Sequence, residues 1–210
     1  MTRAEWLAAR LELVTASDCA AILEKPGVTI DKYRTRAEVL AEKTGQAPPQ
    51  EESEAMRWGT RLQVVILNGW LEDFVAQAPE IAETVGADPY EIRVHPAKPW
   101  LGATLDGYYQ TADHTIPVEV KSVNFFAGKE WDAGAPLRYQ IQLAIQCYVL
   151  DAPVGWLVGL IGGQRLVAHK LACPREFLEV IALPQLEKFH REVIEFRAER
   201  KLFPAKEETG

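Results

Sequence analysis

The sequence predicts an α/β protein with a mixed central β-sheet flanked by helices, and three observations carry that expectation. Apolar residues recur at helical spacing through residues 3–12 and again through 54–77. The pattern then shortens to strand-length runs between Tyr90 and Lys121, and once more over VGWLVGLIG and QRLVAHKLA. Helices, a β-meander, a helix, two strands and a closing helix therefore alternate along 210 residues. That length suits one α/β domain over residues 1–210 and is short for two.

Each element has a local reason. Residues 3–12 place Trp6, Leu7 and Leu11 at helical spacing, and TASDCAAIL opens a second short helix with Thr15 or Ser17 as its N-cap. The Pro-Gly of EKPGVT marks a turn. DKYRTRAEVLAEKTG reads as a helix opened by Asp31 and closed by Gly45, and the proline-rich GQAPPQEES as an exposed loop. From Glu54 to about Gln77, Trp58, Leu62, Val65, Ile66 and Trp70 recur near the helical period. Tyr90–His95, Gly102–Gln110 and Thr115–Lys121 come next as three strands, separated by HPAKPW and QTADHT. A helix from about Leu137 to Leu150, two strands joined by a glycine turn, and a long amphipathic helix from Arg175 to Lys201 complete the chain.

Composition excludes more than it identifies. Hydrophobic residues at 48% and charged residues at 25% are ordinary globular values. MTRAEWLAARLEL mixes charge with apolar residues and does not read as a secretory signal, and no apolar run reaches membrane-spanning length. The three cysteines, Cys19, Cys147 and Cys173, form no CxxC pair, so a reduced, cytoplasmic chain without a disulfide framework or zinc knuckle is expected. A net charge of −7 argues against a sequence-blind polyanion binder, although a local basic groove can coexist with an acidic surface.

The segment GATLDGYYQTADHTIPVEVKS carries the chemistry. Asp106 sits at the end of one predicted strand, and Glu119 and Lys121 share a face of the next at i and i+2. A short turn makes the two strands hairpin neighbours, so the carboxylates can converge. Two close carboxylates repel unless a cation joins them, and hard oxygen donors select Mg²⁺, with Mn²⁺ as a substitute. The Val120 carbonyl can add a third ligand, and Lys121 can then orient or help deprotonate an attacking water. The same three residues also fit an ordinary solvated sheet face, which is the commoner meaning of so short a pattern.

Four blocks around that segment carry a resemblance: RLELVTASDCAAIL at 10–23, MRWGTRLQ at 56–63, LGATLDG with VEVKS between 101 and 122, and PLRYQIQ at 136–142. In this order and spacing the chain resembles the YqaJ-type viral recombinase (lambda exonuclease) family of the PD-(D/E)xK nuclease superfamily. The resemblance implies a restriction-endonuclease-like core. It implies a Mg²⁺-dependent exonuclease that digests the 5′-ended strand of linear double-stranded DNA to mononucleotides, leaving 3′ overhangs for recombination. Asp106 and Glu119 match metal ligands, with the Val120 carbonyl completing a shell that holds two ions, and Lys121 matches the catalytic lysine. Arg10, Ser17, Thr104 and Gln140 match positions that hold the 5′-phosphate, for which a forked guanidinium and hydroxyl or amide donors are chemically apt. Met56 falls where the family places an apolar wedge at the last base pair. The family forms ring-shaped homotrimers on DNA ends and works with a phage single-strand annealing protein in the bacterial cytoplasm.

Two departures qualify the likeness. Leu105 replaces a proline before Asp106, which is harmless because proline is no ligand. Gln63 occupies the position of a helix glutamate that helps bind metal, which removes one negative charge from the site. The expectation is weaker binding of one ion and a slow or nearly silent enzyme, and a DNA-end binding module without catalysis stands as an alternative. An endonuclease of the same superfamily is another, whereas an iron–sulphur branch needs four cysteines and finds three. Read alone, Arg10 is a surface residue, Thr104 a strand residue, Gln140 an exposed helix glutamine, and Met56 and Trp58 are equally candidates for the core. Lys25, Lys32, Arg34, Arg36, Arg57 and Arg61 are candidates for a DNA-facing surface.

Overall fold

In the computed structural model, which describes residues 1–25, 28–48, 51–77, 85–87 and 90–202, two sheets pack around a central helix. The first is small: β1 (Val14–Thr15) runs parallel to β4 (Lys98–Ala103), which pairs antiparallel with β3 (Arg93–His95). The second has five strands in the order β2 (Val85–Gly86), β5 (Gly107–Gln110), β6 (Thr115–Val123), β7 (Val154–Ile161) and β8 (Arg165–Ala172). It is mixed, because β6 and β7 are parallel while the other pairs are antiparallel. The crossover between β6 and β7 carries α5 (Gly128–Asp132) and α6 (Leu137–Val149). The β7–β8 turn needs left-handed backbone at Gly162 and Gly163, φ +60° and +72°, which glycine adopts without steric cost.

Helix α6 is buried on nearly every side. Leu143 and Cys147 pack toward the five-stranded sheet, while Ile141, Ala144, Ile145 and Tyr148 pack toward α2 (Cys19–Ile22), β4 and α8 (Leu183–Leu202). Helix α4 (Glu54–Gln77) covers the other face of the large sheet with Ile66, Leu67, Trp70 and Leu71 against Val118, Val120 and Val158. Burying each such aliphatic side chain contributes roughly 1.5–3 kcal/mol, so these two helices fix the sheet from both faces. The chain closes with the short α7 (Arg175–Phe177), a π-helical turn at Leu178–Ala182, and α8.

Several expectations need correction. Gly102–Gln110 is not one strand: it holds the end of β4, a bend at 104–106, and β5. Alternation of apolar and polar residues continues across the bend, so periodicity alone could not find it. Part of HPAKPW is strand rather than a break. Neither Thr15 nor Ser17 caps α2; Asp18 is the N-cap, without a side-chain cap bond, and Thr15 belongs to β1. The helix expected from Asp31 starts at Arg36, because Asp31 Oδ1 instead accepts from the Tyr33 N–H at 2.8 Å in a local turn. Thr35 and Glu38 then form a reciprocal capping box that opens α3 (Arg36–Lys43). The last helix is likewise broken by its π turn. Pro26 and Gly27 of the predicted turn, and Pro49 and Gln50 of the predicted loop, lie outside the described residues. Among the described residues no helix is long and apolar enough to cross a membrane.

Candidate active site

The β5–β6 ladder stops at Gly107↔Val118, and the site is built where it ends. Two residues further along β6, the Val120 N–H has run past the end of β5 and is taken by Asp106 Oδ2 at 2.8 Å. An extended residue presents its N–H and C=O on the same edge, so the Val120 carbonyl lies on the Asp106 side as well. Glu119 and Lys121 point to the opposite face of the strand from Val118 and Val120, and pair with each other through Lys121 Nζ and Glu119 Oε1. Glu119 is 1% exposed, which rules out the solvated-face reading. Two further donors fix it: Gln142 Nε2 reaches Oε1 at 2.7 Å and Gln146 Nε2 reaches Oε2 at 2.5 Å, both from α6.

Helix α4 supplies the remaining neighbour. Gln63 Nε2 donates to Asp106 Oδ1 at 2.6 Å. One helical turn later Leu67 lies over Gly107, where an added Cβ would sit 2.6 Å from Leu67 Cδ2. Glycine at 107 thus permits the close approach that brings Gln63 onto Asp106.

The electrostatics are strained in one direction. Burial and the neighbouring Glu119 carboxylate push the Asp106 pKa up to about 8, against the opposing pull of Lys121 and the Val120 N–H. Burial works against the charge on Lys121, whose side chain is 24% exposed, but Glu119 and Asp106 more than offset it and hold the ammonium above the ordinary lysine range. A divalent cation between the carboxylates would relieve this repulsion. Asp106, Glu119 and the Val120 carbonyl are hard oxygen donors suited to Mg²⁺ or Mn²⁺. Among the described residues no group of three or more His, Cys, Asp and Glu side chains is arranged to hold a metal, and at this site Gln63 stands where a third acid was expected.

The other matched positions divide. Arg10 Nη2 donates to Ser17 Oγ at 2.9 Å, and its guanidinium carbon lies 4.6 Å from the centre of the Trp6 ring. The Trp6 indole N–H donates to Thr104 Oγ1 at 2.9 Å, so Arg10, Ser17 and Thr104 meet around one tryptophan. Gln146 joins this group to the acids, because its Nε2 also donates to the Thr104 carbonyl at 3.2 Å. Gln140 is not brought there. It lies about 200° around α6 from Gln142, its amide donates to the Ala135 carbonyl, and it lines a small cavity with Leu143, Ala144 and Cys147. Met56 and Trp58 are 44% and 50% exposed and so are not core residues. Arg34 pairs with Asp18 and Glu42, Arg36 with Glu24 and Glu192, and Lys32 with Glu130, so these three cations have acidic partners within the chain.

Reading the residues in order missed three supports. Gln142 and Gln146, four apart in the largely apolar run from Ile141 to Val149, are a polar stripe that needed a buried partner. Asp18 is fully buried beneath Ser17, accepts from the Thr15 hydroxyl at 2.7 Å, and pairs with Lys43 at 2.8 Å and Arg34 at 2.9 Å. Burial opposes its charge, but Lys43, Arg10 and Arg34 outweigh it and depress its pKa to about 2.

Comparison with known proteins gives this arrangement a context. A family model described as a YqaJ-like viral recombinase domain matches residues 5–153. The uncharacterized protein YqaJ of Bacillus subtilis (strain 168) is 28% identical over 200 residues, 92% of this chain; the chain spans only 57% of that relative's length. An alkaline exonuclease of Laribacter hongkongensis superimposes with a TM-score of 0.70 at 20% identity, covering 95% of this chain and 97% of its own. A phage-related exonuclease of Haemophilus somnus 129PT gives 0.60 at 12% identity, covering 87% and 95%. At these identities the likeness shows a shared fold, the restriction-endonuclease-like arrangement of mixed sheet and flanking helices.

Proposed function

The chain belongs to the YqaJ-like viral recombinase family, and from that premise we propose that it is a phage-type alkaline exonuclease. It removes nucleotides from the 5′-ended strand of linear double-stranded DNA in the 5′→3′ direction and leaves 3′ overhangs for single-strand annealing. The observation that carries the proposal is the meeting of Asp106, Glu119 and Lys121 at the end of the β5–β6 ladder, with Glu119 buried and held by three donors. The Laribacter enzyme, whose fold this chain shares, has also been crystallised with dAMP, a nucleoside monophosphate.

In this reading Asp106, Glu119 and the Val120 carbonyl hold Mg²⁺, or Mn²⁺ in its place. When bound, the ion polarises a phosphoryl oxygen, acidifies water and steadies the leaving 3′ oxygen. Gln142 and Gln146 keep both Glu119 oxygens fixed as ligands. Lys121 holds a positive charge beside the reacting phosphate and orients the attacking water. Arg10 and Ser17, with Thr104 beside them, receive the 5′-phosphate through forked and single hydrogen bonds. Exposed Met56 suits the wedge at the last base pair, and Gln140 enters the phosphate shell only if its amide leaves Ala135. The family resemblance implies two ions; with neutral Gln63, the second binds weakly. A homotrimeric ring on DNA ends, an annealing-protein partner and a site of action in the bacterial cytoplasm complete the proposal.

A second reading, an end-binding module without catalysis, is favoured by the Gln63–Asp106 hydrogen bond, which occupies one carboxylate oxygen of the proposed ligand. Digestion of end-labelled duplexes separates the two. Mononucleotide release in Mg²⁺ but not EDTA, faster with a 5′-phosphate, sparing closed circles and lost in Lys121→Ala, is the expected result. Tight metal-independent end binding with no cleavage in Mg²⁺ or Mn²⁺ selects the second reading, and internal cutting of closed circles refutes the exonuclease.

A further inference from the structure

We infer that Tyr33, Arg138 and Tyr139 form a stacking ladder that receives an unpaired nucleobase of the DNA end beside the cleavage site. The inference rests on the nuclease reading and adds a binding element to it. Lys121 Nζ lies 5.1 Å from the centre of the Tyr139 ring. The guanidinium carbon of Arg138 lies 4.3 Å from that ring and 4.5 Å from the Tyr33 ring. Arg138 Nη2 also donates to the Tyr139 hydroxyl at 2.9 Å, which fixes the fork in this position. Ammonium, ring, guanidinium and ring thus succeed one another from the proposed catalytic lysine outward.

The ladder is braced at its inner end and open at its outer end. Trp131 packs against Tyr139 with ring centres 5.8 Å apart, and Trp131 is itself buried. Tyr33 is held through its neighbours as well as by Arg138: its N–H donates to Asp31 Oδ1, and adjacent Lys32 pairs with Glu130 of α5. The residue is 72% exposed. A tyrosine anchored through its backbone and stacked on a guanidinium, with most of its surface in water, leaves an aromatic surface for another flat group. Nucleobases fit because every base has a π-face, and aromatic side chains interleaved with cations are the usual platform for unpaired strands. The position fits too. A nuclease working on a duplex end must part the last pair, and the ladder begins at the lysine beside the reacting phosphate.

The test uses the full chain with Ca²⁺ replacing Mg²⁺, and duplexes carrying 2-aminopurine as an unpaired terminal base on either strand. Binding is expected to change the fluorescence at one of the two positions, in the wild type and in Tyr33→Phe alike. Tyr33→Ala is expected to abolish that change and to weaken binding of the frayed duplex about five- to a hundredfold, the scale of one base–aromatic stack. Equal binding and an equal signal in Tyr33→Ala overturn the ladder and leave the nuclease reading intact. If the wild type binds no DNA end at all, both fall together.

Discussion

Replacing Gln63 by glutamate tests the centre of the proposed site, because it should move stability in opposite directions with and without metal. The wild-type amide donates to Asp106 Oδ1 at 2.6 Å. Above about pH 8, where Asp106 is ionised, losing a hydrogen bond to its charged carboxylate costs about 1.5–3 kcal/mol. The new carboxylate would also face Asp106, whose pKa burial and Glu119 have already pushed up to about 8. A like-charge pair at 4 Å costs about 4 kcal/mol at an effective dielectric of 20, less whatever a captured proton relieves. The expected metal-free loss is about 2–4 kcal/mol, which lowers the melting temperature of a chain this size by roughly 5–15 °C. Mg²⁺ should reverse the order. A third carboxylate that tightens binding ten- to a hundredfold adds about 1.4–2.7 kcal/mol of ligand stabilisation at saturating metal. Thermal melts above about pH 8, in EDTA and in Mg²⁺, with calorimetric titration of the ion, read both terms. A Gln63→Glu protein that melts no lower than wild type in EDTA, or gains no more from Mg²⁺, refutes the assignment of this helix position to the metal site.

Other substitutions test the supports. Asp18→Asn leaves Lys43 buried without its counter-charge and should destabilise the fold by about 3–5 kcal/mol at pH 7, measured by urea unfolding; a variant as stable as wild type contradicts the network. Because the folded pKa of Asp18 is depressed from 3.8 to about 2, its contribution is present above pH 4 and disappears as pH falls toward 2. That difference is about 2 kcal/mol, so the acid limb of wild type should be steeper than that of Asp18→Asn across this window. Gly107→Ala forces a Cβ against Leu67 and should cost about 1–3 kcal/mol while weakening Mg²⁺ affinity by shifting α4; an unchanged unfolding midpoint counts against the close approach. Gln146→Leu removes one donor from buried Glu119 and one from the Thr104 carbonyl, a loss of about 1–3 kcal/mol by chemical denaturation. A neutral result would mean that Glu119 needs only Lys121 and Gln142.

How much of this was legible in the sequence depends on the range of the interaction. Elements set by local rules were readable: α4, α6, β7 and β8 fall within a residue or two of where apolar period and turn residues put them. Asp106 and Glu119 were expected to converge because a short hairpin leaves little freedom. What escaped was set by contacts between distant segments. The bend at 104–106 exists because the chain passes there from one sheet to the other, a tertiary demand that alternation does not encode. Thr15 looked like a cap because its neighbours are helical, but β4 claims its backbone and Asp18 its hydroxyl. Gln142 and Gln146 were ordinary glutamines until β6 placed a buried carboxylate across from them.

The same distinction explains how a chain of net charge −7 is compatible with the proposed DNA-end site. Net charge is summed over the whole surface, whereas binding responds to the local balance. Around Ser17, Arg10, Arg34 and Lys43 act on a single buried carboxylate, Asp18, with Glu42 compensating only Arg34. That leaves Arg10 turned to the half-buried hydroxyl of Ser17 and the face of Trp6, whose indole N–H holds Thr104, with no ion pair of its own among the described residues. Some ångströms away the balance inverts, with Asp106 and Glu119 sharing Lys121. In the proposed function a terminal phosphate and a divalent cation would thus each meet the opposite charge, and Gln146 joins the two groups of residues. Positive and negative centres coupled through one amide are what a phosphodiester end requires, whatever the charge of the remaining surface.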